Sequence, residues 1–147
     1  MNTAAVVSPP RWYRIVSVIA LIWMLFGVAA WFMDWMTDES TVAELSEAQK
    51  QLYAARPQWL FILYGIAIFS GLMGALGLLL RRSWAVPALA LSLLTALVQF
   101  AYTFFGLDAI KLLGPALALP FPMVIIAIGS ALLVLAMKAK QRGWIAS

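Results

Sequence analysis

Two adjacent arginines, Arg81 and Arg82, separate two long uncharged stretches of this chain. Residues 57–80 run 24 positions without a formal charge, and residues 83–107 run another 25. A bilayer core about 30 Å thick is crossed by about 20 apolar helical residues rising 1.5 Å each. Both stretches are long enough to cross. So little chain joins them that they are expected to form a helical hairpin, its turn held at a basic membrane surface by Arg81-Arg82-Ser83-Trp84.

The rest of the chain obeys the same constraint. Of its 147 residues, 65% are hydrophobic and only 11% are charged, whereas a soluble domain carries about a quarter charged. A chain this short has too little interior to hide that much apolar surface from water, so lipid must be the solvent for most of it. Residues 1–147 read as one membrane domain, with spans at 15–35, 57–80, 84–106 and 121–138. A polar loop at 37–56 lies between the first two.

Residues 15–33 are charge-free for 19 positions behind Arg11-Trp12-Tyr13-Arg14, whose rings and cations suit the headgroup region. Gly27-Val28-Ala29 resembles a signal-peptidase site. The apolar run continues past it to Met33, which favours an uncleaved anchor. In the loop, Thr41-Val42-Ala43-Glu44 matches a capping box. Val42, Leu45, Gln49 and Leu52 fall near helical spacing, which predicts a short amphipathic helix over the bundle mouth. Gly114-Pro115 and Pro120-Phe121-Pro122 break regular helix, so residues 109–119 are expected to form a short interfacial turn.

Charge placement predicts orientation. With both termini cytoplasmic, seven of the ten basic residues (Arg11, Arg14, Arg81, Arg82, Lys138, Lys140, Arg142) lie inside. All six acids then lie outside, with Lys50, Arg56 and Lys111. The expected fold is therefore all-α and polytopic: four transmembrane helices in an up-down bundle, a short extracytoplasmic amphipathic helix, N-in and C-in.

The formal charge of +4 does not point to nucleic acid, because the cations are scattered over short loops and tails without a stacking motif. No Cys and no His are present. Their absence removes disulfides, thiolate chemistry, zinc sites with N or S ligands and imidazole acid–base catalysis. No catalytic residue, metal or cofactor is expected.

Three groups of residues stand out. Ala67, Gly71 and Ala75 recur every four positions, as do Ser70 and Gly74, with Gly77 beyond. Such a face lets helices approach closely in lipid, either within the chain or between two copies. Ser92, Thr95, Gln99 and Tyr102 share one face of the third span, and Gln99 is the carboxamide that lies well inside an apolar run. This face either hydrogen-bonds neighbouring helices or touches a solute. Asp34 follows the uncharged run 15–33 by one position and Asp108 follows 83–107 the same way, as ordinary interfacial carboxylates or as sites coupled to an ion. Trp12, Trp31, Trp35, Trp59, Trp84 and Trp144 read as interfacial belts and Trp23 as mid-span filler.

Arg11-Trp12-Tyr13-Arg14, the Glu44–Tyr53 segment followed by Pro57 and Trp59, the Gly71–Gly77 run and Gly143-Trp144-Ile145 together resemble a family of small four-helix bacterial membrane proteins. Its members often carry an automatic "sugar transporter" label. The resemblance covers nearly the whole chain and implies four helices in a bacterial cytoplasmic membrane, with no site residues to carry over. The expected role is a structural or accessory component, partnered in the bilayer by another protein or by a second copy. An oligomeric small-solute transporter is the alternative. Small multidrug transporters of similar size place a glutamate within the first membrane helix, whereas the charge-free run 15–33 of this chain holds no acid. An enzyme is the least supported class, since the interiors of the spans offer only hydroxyls and one amide.

Overall fold

In the computed structural model, residues 8–107 and 109–145 are described, and among them the chain is helical with short connections and no strand. Helix α1 spans Arg11–Trp35, α2 Glu39–Ala43, α3 Glu47–Ala55 and α4 Gln58–Leu80. Helix α5, Ala85–Ala101, is continued by a π-helical turn, Tyr102–Gly106. Then come α6, Ala109–Leu113, α7, Pro115–Ala118, and α8, Pro120–Gln141. Four of these elements are long and apolar enough to cross a membrane: Arg11–Trp35, Gln58–Leu80, Ala85–Gly106 and Pro120–Gln141.

The long helices pack in chain order, α1 on α4, α4 on α5 and α5 on α8. Helix α4 is the inner one: 39% of its most apolar window is covered by protein, against 11% for α1. Its small residues explain this. A side chain at Gly77 would place Cβ 2.8 Å from Ala85 Cβ and 2.9 Å from Ala85 Cα, and one at Gly74 would meet Leu89 Cγ at 2.5 Å. Only hydrogen at these two positions lets the α5 backbone lie so close.

Contacts at each end set the helix directions. At one end the Tyr13 hydroxyl donates to the Leu78 carbonyl at 2.7 Å, and Arg81 Nε donates to the Trp144 carbonyl at 3.0 Å. At the other, Arg56 pairs with Asp34, and Trp59 meets the Tyr102 ring edge-on at 4.7 Å. The start of α1, the end of α4, the start of α5 and the end of α8 therefore share one end. Arg81 closes α4 in the left-handed region (φ 60°, ψ 47°). The Arg82 N–H returns to the Gly77 carbonyl at 2.8 Å and the Arg81 N–H to Leu78 at 3.2 Å, a Schellman closure. This compact turn is how so short a connection reverses the chain.

The polar loop departs from expectation. Thr41 and Glu44 do not form a capping box. Asp38 caps α2, its Oδ1 accepting from the Thr41 N–H and hydroxyl, each at 2.9 Å. The reciprocal box is at Ser46 and Gln49, with both bonds at 3.2 Å, and it starts α3. Thr41 donates its hydroxyl to the Asp38 carboxylate and Ser46 caps a second start, so the loop holds two helices rather than one. Helix α3 packs against α6. Between α6 and α7, Gly114 takes φ 84°. Pro120 and Pro122 fall inside the first turn of α8, where proline is tolerated, so this helix begins earlier than residue 121. Likewise α1 begins at Arg11 and includes both arginines that precede its apolar run.

Candidate functional site

The polar residues of the third span lie along the seam between α4 and α5. Ser92 is half-buried, and its hydroxyl donates across the seam to the Ala67 carbonyl at 2.6 Å. Thr95 is buried and bonds back to Leu91 and Ser92 carbonyls at 2.8 and 3.0 Å. Tyr102 turns its ring onto Trp59 of α4. Thr103 donates to the Gln99 carbonyl at 2.8 Å. The Ser92, Thr95 and Thr103 hydroxyls are taken up by backbone acceptors, as hydrocarbon requires. The Gln99 carboxamide differs: it is half-buried and makes no hydrogen bond to a described residue.

The small residues of α4 face the chain's own interior. Ala67, Gly71, Gly74, Ala75 and Gly77 are buried, and Gly71 lies between Met24 of α1 and Ser92 of α5. Ser70 is half-buried and bonds to the Ile66 carbonyl one turn back. The matching face of α1 escaped the sequence reading. Tyr13, Ser17 and Ala20 are all buried, at spacings of four and three. The signal was there in two small residues flanked by large ones, but no charge or repeat marked it.

At the end holding the acids, Asp34 is not a lone carboxylate. Arg56 forms a two-pronged ion pair with it, at 2.8 and 3.3 Å, and both side chains are mostly covered. The guanidinium also lies over the Tyr53 ring at 5.1 Å and the Phe61 ring at 5.4 Å. Phe61 stacks on Trp31 at 5.0 Å, and Trp31 Nε1 donates to the Phe61 carbonyl at 3.4 Å. Arg56 lies 22 positions from Asp34, so no local pattern announces the pair. Asp108 lies outside the described residues.

At the opposite end, Trp144 is no lipid-facing belt residue. It is 8% exposed, and it meets Trp12 edge-on at 5.6 Å and Tyr13 at 5.7 Å. Gly143, at φ 77°, turns the chain back after α8 so that Trp144 and Ile145 join the core. Trp144 offers its carbonyl to Arg81 and its ring face to Arg142 at 5.3 Å.

The arrangement can tie helices together and hold charge at the two ends. Among the described residues, no three His, Cys, Asp or Glu side chains gather where a metal ion could be held. No protein-family model matches this chain, and no curated protein or solved structure matches it either.

Proposed function

We propose that this chain is a structural or accessory component of a bacterial cytoplasmic membrane, docking by its lipid-facing helix surfaces to a larger membrane assembly. Both termini and the Arg81 turn face the cytoplasm in this reading, and α2 and α3 lie on the outer side. The observation that carries it is how the polar face of α5 is spent. Ser92 and Thr95 are bonded to backbone carbonyls within the chain, leaving a tied seam in place of a lined path. Helix α1 meanwhile presents Ile15, Ile19, Ile22 and Phe26 outward, from 48 to 71% exposed. That is an unbroken apolar stripe at helical spacing, suited to lipid or to a neighbouring helix. The resemblance to small four-helix bacterial membrane proteins supports the same compartment, and the reading assigns no catalysis.

A photo-crosslinking residue at Phe26 should give one discrete protein adduct in native membranes, while one at buried Ala20 should give none. Lipid adducts alone at Phe26 would overturn the docking role. Oligomeric solute transport is the second reading, favoured by the Gln99 carboxamide, which has no hydrogen-bond partner among the described residues. It requires uptake by reconstituted vesicles that is lost in Gln99→Leu.

A further inference from the structure

Positive charge gathers at one end of the bundle from three separate parts of the chain. Arg11 and Arg14 come from the start of α1, Arg82 from the α4–α5 turn, and Lys138, Lys140 and Arg142 from the end of α8. All six are exposed, and none pairs with a described acid. The tertiary structure brings these segments to a common hub, the buried Trp144, which touches Trp12, Tyr13, Arg81 and Arg142. Sequence position alone does not create this proximity: Arg14 and Arg142 are 128 residues apart.

Two features make this more than a charge bias for orientation. Lys138 and Lys140 occupy the last turn of α8, where cations complement the helix dipole. Arg11 and Arg14 are placed oppositely, in the first turn of α1, which holds no acid. There the dipole adds positive potential to positive side chains, an arrangement that costs energy unless an anion meets it. Around these cations lie the rings of Trp12, 49% exposed, and Trp84, 38% exposed. Such rings settle at headgroup depth. Exposed cations from several segments, none paired with a described acid, at headgroup depth and beside amphipathic rings, match the phosphate of a lipid whose acyl chains run down the apolar helix faces.

We infer that this end of the bundle binds the headgroup of an anionic phospholipid, with Arg14, Arg82 and Arg142 as principal contacts. The inference rests on the membrane location and not on docking to a larger assembly; the crosslinking result and the lipid result can each fail without the other.

The test is native mass spectrometry of the full chain released from an equimolar mixture of phosphatidylglycerol and phosphatidylcholine. Retained phosphatidylglycerol should exceed phosphatidylcholine by about tenfold, a preference falling as salt is raised. Arg82→Gln alone should reduce the ratio about fivefold, the worth of one basic residue at an anionic surface. Arg14→Gln, Arg82→Gln and Arg142→Gln combined should abolish it, while Lys50→Gln at the other end leaves it unchanged. Helical content by circular dichroism confirms that each variant is folded. Equal retention of the two lipids by the wild-type chain would overturn the inference, as would a preference that survives the triple substitution. Displacement of phosphatidylglycerol by equimolar inorganic phosphate would overturn the assignment to a lipid.

Discussion

At Gly77 and Gly27 the same residue type does different work, and distance decides which. A Cβ at Gly77 would sit 2.9 Å from Ala85 Cα, a backbone atom that cannot move aside without opening the α4–α5 hairpin. A Cβ at Gly27 would meet the Ile68 side chain, nearest at Cδ1, at an ordinary 3.5 Å. Gly77→Val should therefore destabilise the protein by about 1–3 kcal/mol through overpacking. Gly27→Ala should be neutral or stabilise by up to about 1 kcal/mol through helix propensity. Unfolding titrations in bicelles would separate the two. Asp34 and Arg56 provide the electrostatic counterpart. Their two-pronged geometry is good, yet they sit at an interface and not in dry hydrocarbon. A double-mutant cycle of Asp34→Asn and Arg56→Gln should return a coupling of about 1 kcal/mol. A coupling indistinguishable from zero would mean that water screens the pair fully.

Among elements, the short helices of the polar loop have the plainest logic. Helix α2 has only five residues, too short to persist on propensity, and it depends on the Asp38 cap. Hydrogen bonds from the Thr41 N–H, then Ser40 and Thr41 hydroxyls, lower the Asp38 carboxyl pKa to about 2. A carboxylate with a depressed pKa stabilises the fold at pH above its unfolded value of 3.8, and that contribution is lost as pH falls through about 2. The Thr41 amide resonance should hold its position down to pH 4 and shift only in stronger acid, as followed by NMR in micelles. Helix α3 relies on a different cap, so Ser46→Ala should speed amide exchange at Gln49 and Lys50 and leave α2 unaffected. The π-helical turn after α5 has its own local cause. Leu107 N–H reaches back five residues to Tyr102 at 3.0 Å, and a Cβ on Gly106 would lie 2.9 Å from the Tyr102 ring. The missing side chain leaves room for that ring against the widened turn.

For the whole molecule, the four long helices pack in the order α1, α4, α5, α8 with α4 the most enclosed, and both described chain ends lie at the end that holds the Arg81 turn. Seven basic residues lie at that end, and the described acids lie at the other. In the proposed orientation this basic end faces the cytoplasm, as the positive-inside rule expects. The chain contains no cysteine, which makes this directly testable with single-cysteine variants. Ser8→Cys and Gln141→Cys should react with an impermeant maleimide only after inner-side access is opened. Ser46→Cys should react from outside in intact cells. Labelling of Ser8→Cys and Ser46→Cys from the same side would rule out this orientation.

How much of this was legible in advance depends on the range of the interaction. Spans of uncharged residues, the hairpin at Arg81-Arg82 and the segregation of charge follow from hydropathy and loop length, because a bilayer imposes a fixed thickness and a uniform cost on charge. Helix ends were legible to within a few residues, and missed where proline at 120 and 122 or the caps at Asp38 and Ser46 set the boundary. The pairings were not legible. Asp34 with Arg56, Ser92 with Ala67, Tyr13 with Leu78 and the packing of Trp12 and Tyr13 on Trp144 join residues from 22 to 132 positions apart. Trp144 carries the same local signature as a lipid-facing belt residue. Its burial depends on Gly143 turning the chain back into a space left by Tyr13, and only packing in three dimensions supplies that space.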